Sequence, residues 1–179
     1  MPAAATALIT FEEFEQLPDP PNGHHLELHH GEVISVPPPL QGHKRIESYL
    51  RKKIEAATDR SGVVETEVGF RAILDGEWRI ADVAFVAGDR WYTTPRDGYL
   101  VGAPELVIEV LSPSNTVSEM LDREQLCLEN GALEFWVVDP KRRQVRVSTR
   151  EGTTKTYKSG QSIPLMFGGE LAVDPIFEG

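Results

Sequence analysis

The chain contains a single cysteine, Cys127, so it can close no internal disulfide and build no cysteine-rich zinc site. A reducing, cytoplasmic setting is the expectation. No apolar run approaches the roughly 20 residues that a membrane-spanning helix needs, because charges interrupt every candidate. The opening MPAAATALIT has no basic flank and is too short for a signal segment with a cleavage site. A soluble protein that does not engage a membrane is expected. Basic residues are also scarce, with 18 Lys and Arg against 28 Asp and Glu and a formal net charge of -10. A protein that grips long nucleic acid through its phosphates usually carries a basic face, so avid non-specific binding is disfavoured. Local clusters can still act, because placement matters more than the sum. Repeats and low-complexity tracts are lacking apart from Pro37-Pro38-Pro39, which reads as a rigid connector.

What is present is ordinary for a globular protein. The 179 residues, 40% hydrophobic and 26% charged, suffice for one core, and a single domain over residues 1–179 is expected. Thr10-Phe11-Glu12-Glu13 is a capping box, and with Pro18 behind it predicts a short helix from Phe11 to about Leu17. His25 to Leu28 and Glu32 to Val36 alternate around His29-His30-Gly31, the pattern of a hairpin. Ile46, Tyr49, Leu50, Ile54 and Ala57 recur at helical spacing and predict a helix from Gly42 to Thr58. Its basic run, Lys44, Arg45, Arg51, Lys52 and Lys53, either follows a nucleic-acid backbone or is a solvated helix face. Val63 to Leu74 and Trp78 to Val86 flank Asp75-Gly76 and predict paired strands.

From Ala87 to Ala103 the sequence mixes Gly, Pro, Asp and aromatics without a period, and a loop is expected. Glu105 to Leu111 is nearly continuously apolar, as suits a strand covered on both faces. A helix from about Thr116 to Asn130, stopped by Gly131, leads to a second buried strand from Leu133 to Val138, which makes a crossover unit. Gln144 to Ser148 and Thr153 to Lys158 predict a last hairpin. The expected fold class is α/β, a mixed sheet antiparallel at its start, parallel at the crossover, and covered by a helix on each face.

Glu109 stands in the middle of Leu106-Val107-Ile108-Glu109-Val110-Leu111, where an ionised carboxylate is costly unless it is paired or metal-bound. Asp82 sits similarly within Ile80-Ala81-Asp82-Val83-Ala84-Phe85 on an expected neighbouring strand. Two such carboxylates can converge on a divalent cation that prefers hard oxygen ligands, Mg2+ or Mn2+. Glu27 on the first hairpin would offer a third oxygen and the backbone carbonyl of Val110 a fourth. An ion held there would polarise a phosphodiester and activate a water. The plain alternative is a Glu109 that faces solvent at a strand end or pairs with an arginine such as Arg79.

Taken in order, Glu27-Leu28-His29-His30-Gly31-Glu32, His43, Arg79-Ile80-Ala81-Asp82-Val83, the segment from Pro104 to Ser114, and the segment from Gly131 to Pro140 resemble the Uma-two family of putative restriction endonucleases. The likeness spans nearly the whole chain, and its last two segments are the most specific. It implies a restriction-endonuclease-like core of the PD-(D/E)XK type: a mixed β-sheet flanked by helices, with an N-terminal hairpin and additional C-terminal strands. In that frame Asp82 is the motif aspartate, Glu109 the second acid and Glu27 the acid from the N-terminal part. The implied activity is cleavage of DNA by a Mg2+- or Mn2+-dependent enzyme, and duplex cleavage by so small a domain is easiest as a homodimer.

The sequence departs from the pattern at one point. The superfamily's lysine two residues beyond the second acid is Leu111 here, and the lysine that this family carries on the following helix is Arg123, eight residues before Gly131. Arginine keeps the charge and can steady a phosphate, but it is a poor proton acceptor. The ordinary alternative for Arg123 is a pair with Glu119 or solvation. His43 occurs where the family has a histidine, to orient a carboxylate or contact phosphate, with capping of the helix as the alternative. His24, His25, His29 and His30 are expected to be exposed hairpin residues rather than ligands, since neighbours on a strand face opposite ways. Cys127 lies on an apolar helix face with no partner that would make it a nucleophile. Two rival functions stay open: a nuclease-fold binding or regulatory module without turnover, and a hydrolase of a small phosphorylated compound.

Overall fold

Local signals fix most of the elements in the computed structural model, which describes residues 7–178. The run MPAAAT, part of the segment read as too short for a signal, lies outside the described residues. Thr10 and Glu13 close the expected capping box at α1 (Phe11–Phe14), which ends short of Leu17. Strands β1 (His25–His29) and β2 (Glu32–Val36) form an antiparallel hairpin. Its two linking residues, His30 and Gly31, both have positive φ, 50° and 84°, the backbone that a two-residue turn between twisted strands requires. Helix α2 (Gln41–Ala57) follows the prolines and buries Ile46, Glu47, Leu50 and Ile54.

Strands β3 (Gly62–Arg71) and β4 (Arg79–Ala87) pair antiparallel. The loop expected from Ala87 to Ala103 instead holds a short helix, α3 (Gly88–Thr93), and a two-residue strand, β5 (Leu100–Val101). The cause is tertiary: the Arg90 guanidinium bonds Glu105 at 2.7 Å and the carbonyls of Val101 and Ala103 at 2.8 and 3.0 Å, which ties the segment down. Then come β6 (Leu106–Val110), α4 (Val117–Glu129), β7 (Glu134–Asp139), β8 (Gln144–Thr149), β9 (Thr154–Tyr157), β10 (Ser162–Pro164), β11 (Glu170–Ala172) and a 3-10 turn, Asp174–Phe177. A Thr116–Glu119 capping box opens α4.

The main sheet has seven strands in the order β5-β3-β4-β6-β7-β8-β9. β6 and β7 run parallel across the α4 crossover, β3 and β5 are parallel, and the other neighbours are antiparallel. This is the mixed α/β sheet that the sequence patterns predict. On one face Ile46, Leu50 and Ile54 of α2 pack with Val83, Phe85, Ile108 and Trp136. On the other, Leu126 and Cys127 of α4 pack with Phe70, Ala81, Val107 and Phe135. Cys127 is fully buried, and burial pushes its thiol up to about 12, so it is chemically inert. Among the described residues no helix is long and apolar enough to cross a membrane.

One irregularity positions the site. Strand side chains should alternate between faces, yet Val64 belongs to the α2 side while Val68 belongs to the α4 side. On the partner strand Ala81 belongs to the α4 side and Val83 to the α2 side, so both strands change phase between these positions. The ladder pairs Thr66 with Val83 and Val68 with Ala81, and skips Glu67 and Asp82. Glu67 sits there at φ 55°, a left-handed backbone unusual for glutamate and of the kind that clusters at functional sites.

Candidate active site

The break in β3 and β4 frees Asp82 from the regular pleat. Pairing of β4 with β6 stops at Val83 and Ile108, and beyond it the strands part. The amide of Val110 donates instead to Asp82 Oδ2 at 2.7 Å, so the carboxylate replaces a rung of the ladder and stands at the fork between the strands. Glu109, on the other face of β6 from Ile108 and Val110, turns toward α4.

Arg123 meets it there. Met120, Arg123, Leu126 and Cys127 make up the buried stripe of α4, so the guanidinium enters the protein along an otherwise apolar face. Its Nη2 donates to Glu27 Oε1 at 2.9 Å and to the carbonyl of Ile80 at 2.7 Å, while its Nε lies 3.3 Å from Glu109 Oε1. Glu27 is fully engaged: Oε1 also accepts the Ile80 amide at 3.0 Å, and Oε2 accepts from His29 at 2.6 Å. Burial opposes ionisation of Glu27, but Arg123, His29 and the Ile80 amide outweigh it and hold the carboxyl far below its ordinary range. For Glu109 burial prevails over the attraction of Arg123 and pushes the carboxyl well up. Burial likewise disfavours the Arg123 charge, yet Glu109 and Glu27 more than reverse this, and Arg123 stays cationic.

These contacts correct several expectations. Arg123 pairs with Glu27 and Glu109 and not with Glu119, whose carboxylate is used in the α4 cap. Arg79 bonds Glu77 at 2.8 Å and is no partner of Glu109. His29 is not a free surface residue but a support for Glu27, and His25 lies 3.9 Å from the same carboxylate. Lys44 and Arg51, from the basic run of α2, are spent on Glu47 with Glu67 and on Glu65 with Glu55.

A second group gathers around Asp82. His43 Nε2 lies 3.2 Å from Asp82 Oδ2 and 3.0 Å from Glu47 Oε1, one turn further along α2. Burial works against an imidazolium, but contact with Asp82 and then Glu47 raises the pKa of His43 to about 10. Glu47 was not singled out in the sequence, although positions 43, 46, 47, 50 and 54 share one helical face and an acid on a buried stripe is a readable signal. His43, Glu47 and Asp82 each offer a ligand atom within 4.8 Å of the others.

The atoms without hydrogen-bond partners concentrate here. Of the five buried side-chain atoms without a well-aligned hydrogen bond among the described residues, four belong to this site and face one another as two ion pairs, His43 Nε2 with Glu47 Oε1 at 3.0 Å and Arg123 Nε with Glu109 Oε1 at 3.3 Å; the fifth is Arg71 Nε. Carboxylate and carbonyl oxygens suit both Mg2+ and Mn2+, so Asp82, Glu109 and the Val110 carbonyl fit the expected metals. All six residues read from the sequence, Glu27, His43, Asp82, Glu109, Val110 and Arg123, line one cavity of about 730 Å3. They do not all meet at one point: Arg123 bridges Glu27 and Glu109, whereas Asp82 shares His43 with Glu47.

This arrangement has relatives. The fold is similar to the crystal structure of a putative nuclease belonging to DUF820 from Anabaena variabilis, with a TM-score of 0.81 and 22% identity over 95% of this chain and 98% of that one. At such identity the likeness concerns the fold. No curated protein matches the chain. A family model does match, over residues 11–178, and takes in both halves of the site; its description is Putative restriction endonuclease, and the chain belongs to that family, Uma-two.

Proposed function

We propose that the protein is a metal-dependent phosphodiesterase that cuts DNA, with Asp82 and Glu109 as the acids that hold Mg2+ or Mn2+ and the Val110 carbonyl beside them. The observation that carries this reading is that Asp82, Glu109 and Val110, read as ligands from the sequence, line one cavity, with Glu109 a buried carboxylate whose only cationic partner at 4 Å or less among the described residues is Arg123 at 3.3 Å. Such an ion, when bound, supplies a Lewis acid for the phosphoryl oxygen and lowers the pKa of water. Glu27 takes a different role from the third ligand read in the sequence. Both of its oxygens are occupied, so it positions the Arg123 guanidinium. Arg123 in turn lines the cavity, with its Nε 3.3 Å from Glu109, and stabilises the charge that develops on a phosphate. His43, kept protonated by Asp82 and Glu47, fixes the Asp82 carboxylate and offers a proton to a leaving oxygen. Cutting both strands of a duplex needs two such sites, which a symmetric pair of chains would supply.

A second reading has a specific observation behind it. Arginine at position 123 already neutralises Glu27 and Glu109, so a fold-retaining module that binds nucleic acid without turnover is the rival. The test is calorimetric titration with Mn2+ together with cleavage of supercoiled DNA, for the parent chain, Asp82→Asn and Glu109→Gln. The nuclease reading expects Mn2+ binding and cleavage in the parent and loss of both in each variant. Nucleic-acid binding with no cleavage in either metal supports the module, and Mn2+ binding that survives both substitutions removes the proposed centre.

A further inference from the structure

The cavity has a positive side that the reaction chemistry does not use. Of the Lys and Arg residues that line it, Arg123 is held by Glu27 and Glu109, while Lys141 and Arg143 make no ion pair with a carboxylate among the described residues. Both are exposed, on the turn between β7 and β8. Arg143 is fixed by its surroundings: its guanidinium lies 5.5 Å from the Phe177 ring centre, and Nη1 donates to the Phe177 carbonyl at 3.4 Å. The Asp174 carboxyl is held below its ordinary range first by Ser159 and the Gly160 amide, which bond it directly, and Arg143 adds only a weaker attraction from beyond ion-pair distance.

Topology places this turn beside the candidate metal ligands. β6 and β7 are parallel and in register, Val110 against Val138, and the Leu111 amide continues the ladder to the Val138 carbonyl at 2.9 Å. Both chains therefore leave the sheet at the same edge, one into Ser112 and the other into Pro140 and Lys141. The crevice outside the carboxyl ends of adjacent parallel strands is where open α/β sheets bind ligands. Here the Ser112 loop lines the same cavity as the lysine and arginine.

We propose that Lys141 and Arg143 bind a backbone phosphate of a nucleic-acid strand that flanks the phosphate at Asp82 and Glu109, and so set the path of the strand through the cavity. The proposal rests on the nuclease reading for the direction of the strand, but not for the binding itself. It also accounts for an acidic protein that engages a polyanion: among the described residues eight Lys and Arg side chains, Arg123 included, are paired with carboxylates, whereas Lys141 and Arg143 on the cavity wall are left for phosphate.

The test is fluorescence anisotropy of the full chain in EDTA, with a labelled oligonucleotide as single strand and as duplex, over a range of salt. Losing the contact to one phosphate should lower the slope of log K against log salt by about 0.7 for the single strand or about 0.9 for the duplex. The double variant K141Q/R143Q is expected to show that drop with an unchanged melting temperature. The control K52Q/K53Q, which removes two exposed cations outside the cavity, is expected to bind like the parent. A parent that binds neither oligonucleotide at low salt, an unchanged slope in K141Q/R143Q, or an equal loss in the control would overturn the proposal. Mn2+ titration and cleavage are measured separately: their failure with the salt effect intact removes the nuclease reading and leaves the strand site standing.

Discussion

Arg123→Ala is the sharpest perturbation of this site. It removes the donor that bonds Glu27 at 2.9 Å and the Ile80 carbonyl at 2.7 Å and faces Glu109 at 3.3 Å. Glu27, Glu109 and Arg123 are 2%, 5% and 8% exposed, so solvent cannot replace what is lost. Breaking a buried pair by deleting one partner costs about 3 to 5 kcal/mol, because the other charge stays behind. A domain's whole stability is about 5 to 15 kcal/mol, so the variant approaches the limit of folding. At roughly 2 to 4 °C per kcal/mol for a chain of this size, melting should fall by about 6 to 20 °C. The deficit depends on pH. Without the guanidinium the buried carboxyls bind protons more readily folded than unfolded, so a drop from pH 8 to pH 6 stabilises the variant relative to the parent. Mn2+ should also raise its urea midpoint more than the parent's, since a cation that binds only the folded chain at 100 times its dissociation constant adds about 2.7 kcal/mol. Urea titrations at the two pH values, with and without Mn2+, read all of this. A loss below about 1 kcal/mol, or a deficit that does not shrink at pH 6, would refute the bridge as the holder of these acids.

His43 carries a pH signature of the opposite kind. Its folded pKa is raised from 6.5 to about 10, so the stability it contributes is complete below 6.5 and is lost as pH climbs through 10. His43→Gln should flatten the decline in urea midpoint between pH 6.5 and 10 relative to the parent, and a parallel decline in both proteins would remove the ion pair with Asp82 and Glu47 as its cause. At the turn from α4 into β7, Gly131 has φ 130°, and a Cβ there would lie 2.9 Å from the Ala103 carbonyl oxygen. Gly131→Ala is therefore expected to cost more than about 1 kcal/mol in a urea melt, and a neutral result would show that the turn has room to shift.

The parts of this molecule that were legible in the sequence are those decided within a few residues. The capping boxes at Thr10 and Thr116 open helices, and the apolar runs around Glu109 and Trp136 are the buried parallel pair. The segment after Ala87 was not legible, because what folds it is Arg90 reaching Glu105 and the carbonyls of residues 101 and 103. The hairpin histidines show a more instructive failure. Alternation does send neighbours to opposite faces, but the same rule puts residues 25, 27 and 29 on one face, and there His29 bonds the Glu27 carboxylate. The period was right and was applied to the wrong pairs.

The acids themselves were found by the cost of burying them, but that cost does not say how it is met. Arg123 lies 96 residues from Glu27, and its position on the buried stripe of α4 is what makes it their common partner. Asp82 depends on a feature with no local code, the left-handed backbone of Glu67 across the sheet, where the pleat of both strands changes phase and a side chain can stand in the fork. Two acids thirty residues or less apart in sequence therefore meet different fates: one is answered by a guanidinium from a helix, the other by an imidazolium and a backbone amide. A divalent cation entering this cavity has to compete with both. Its affinity should accordingly rise with pH as His43 gives up its proton, and the same two substitutions that weaken the internal cations, at 43 and 123, are the ones that would alter it most.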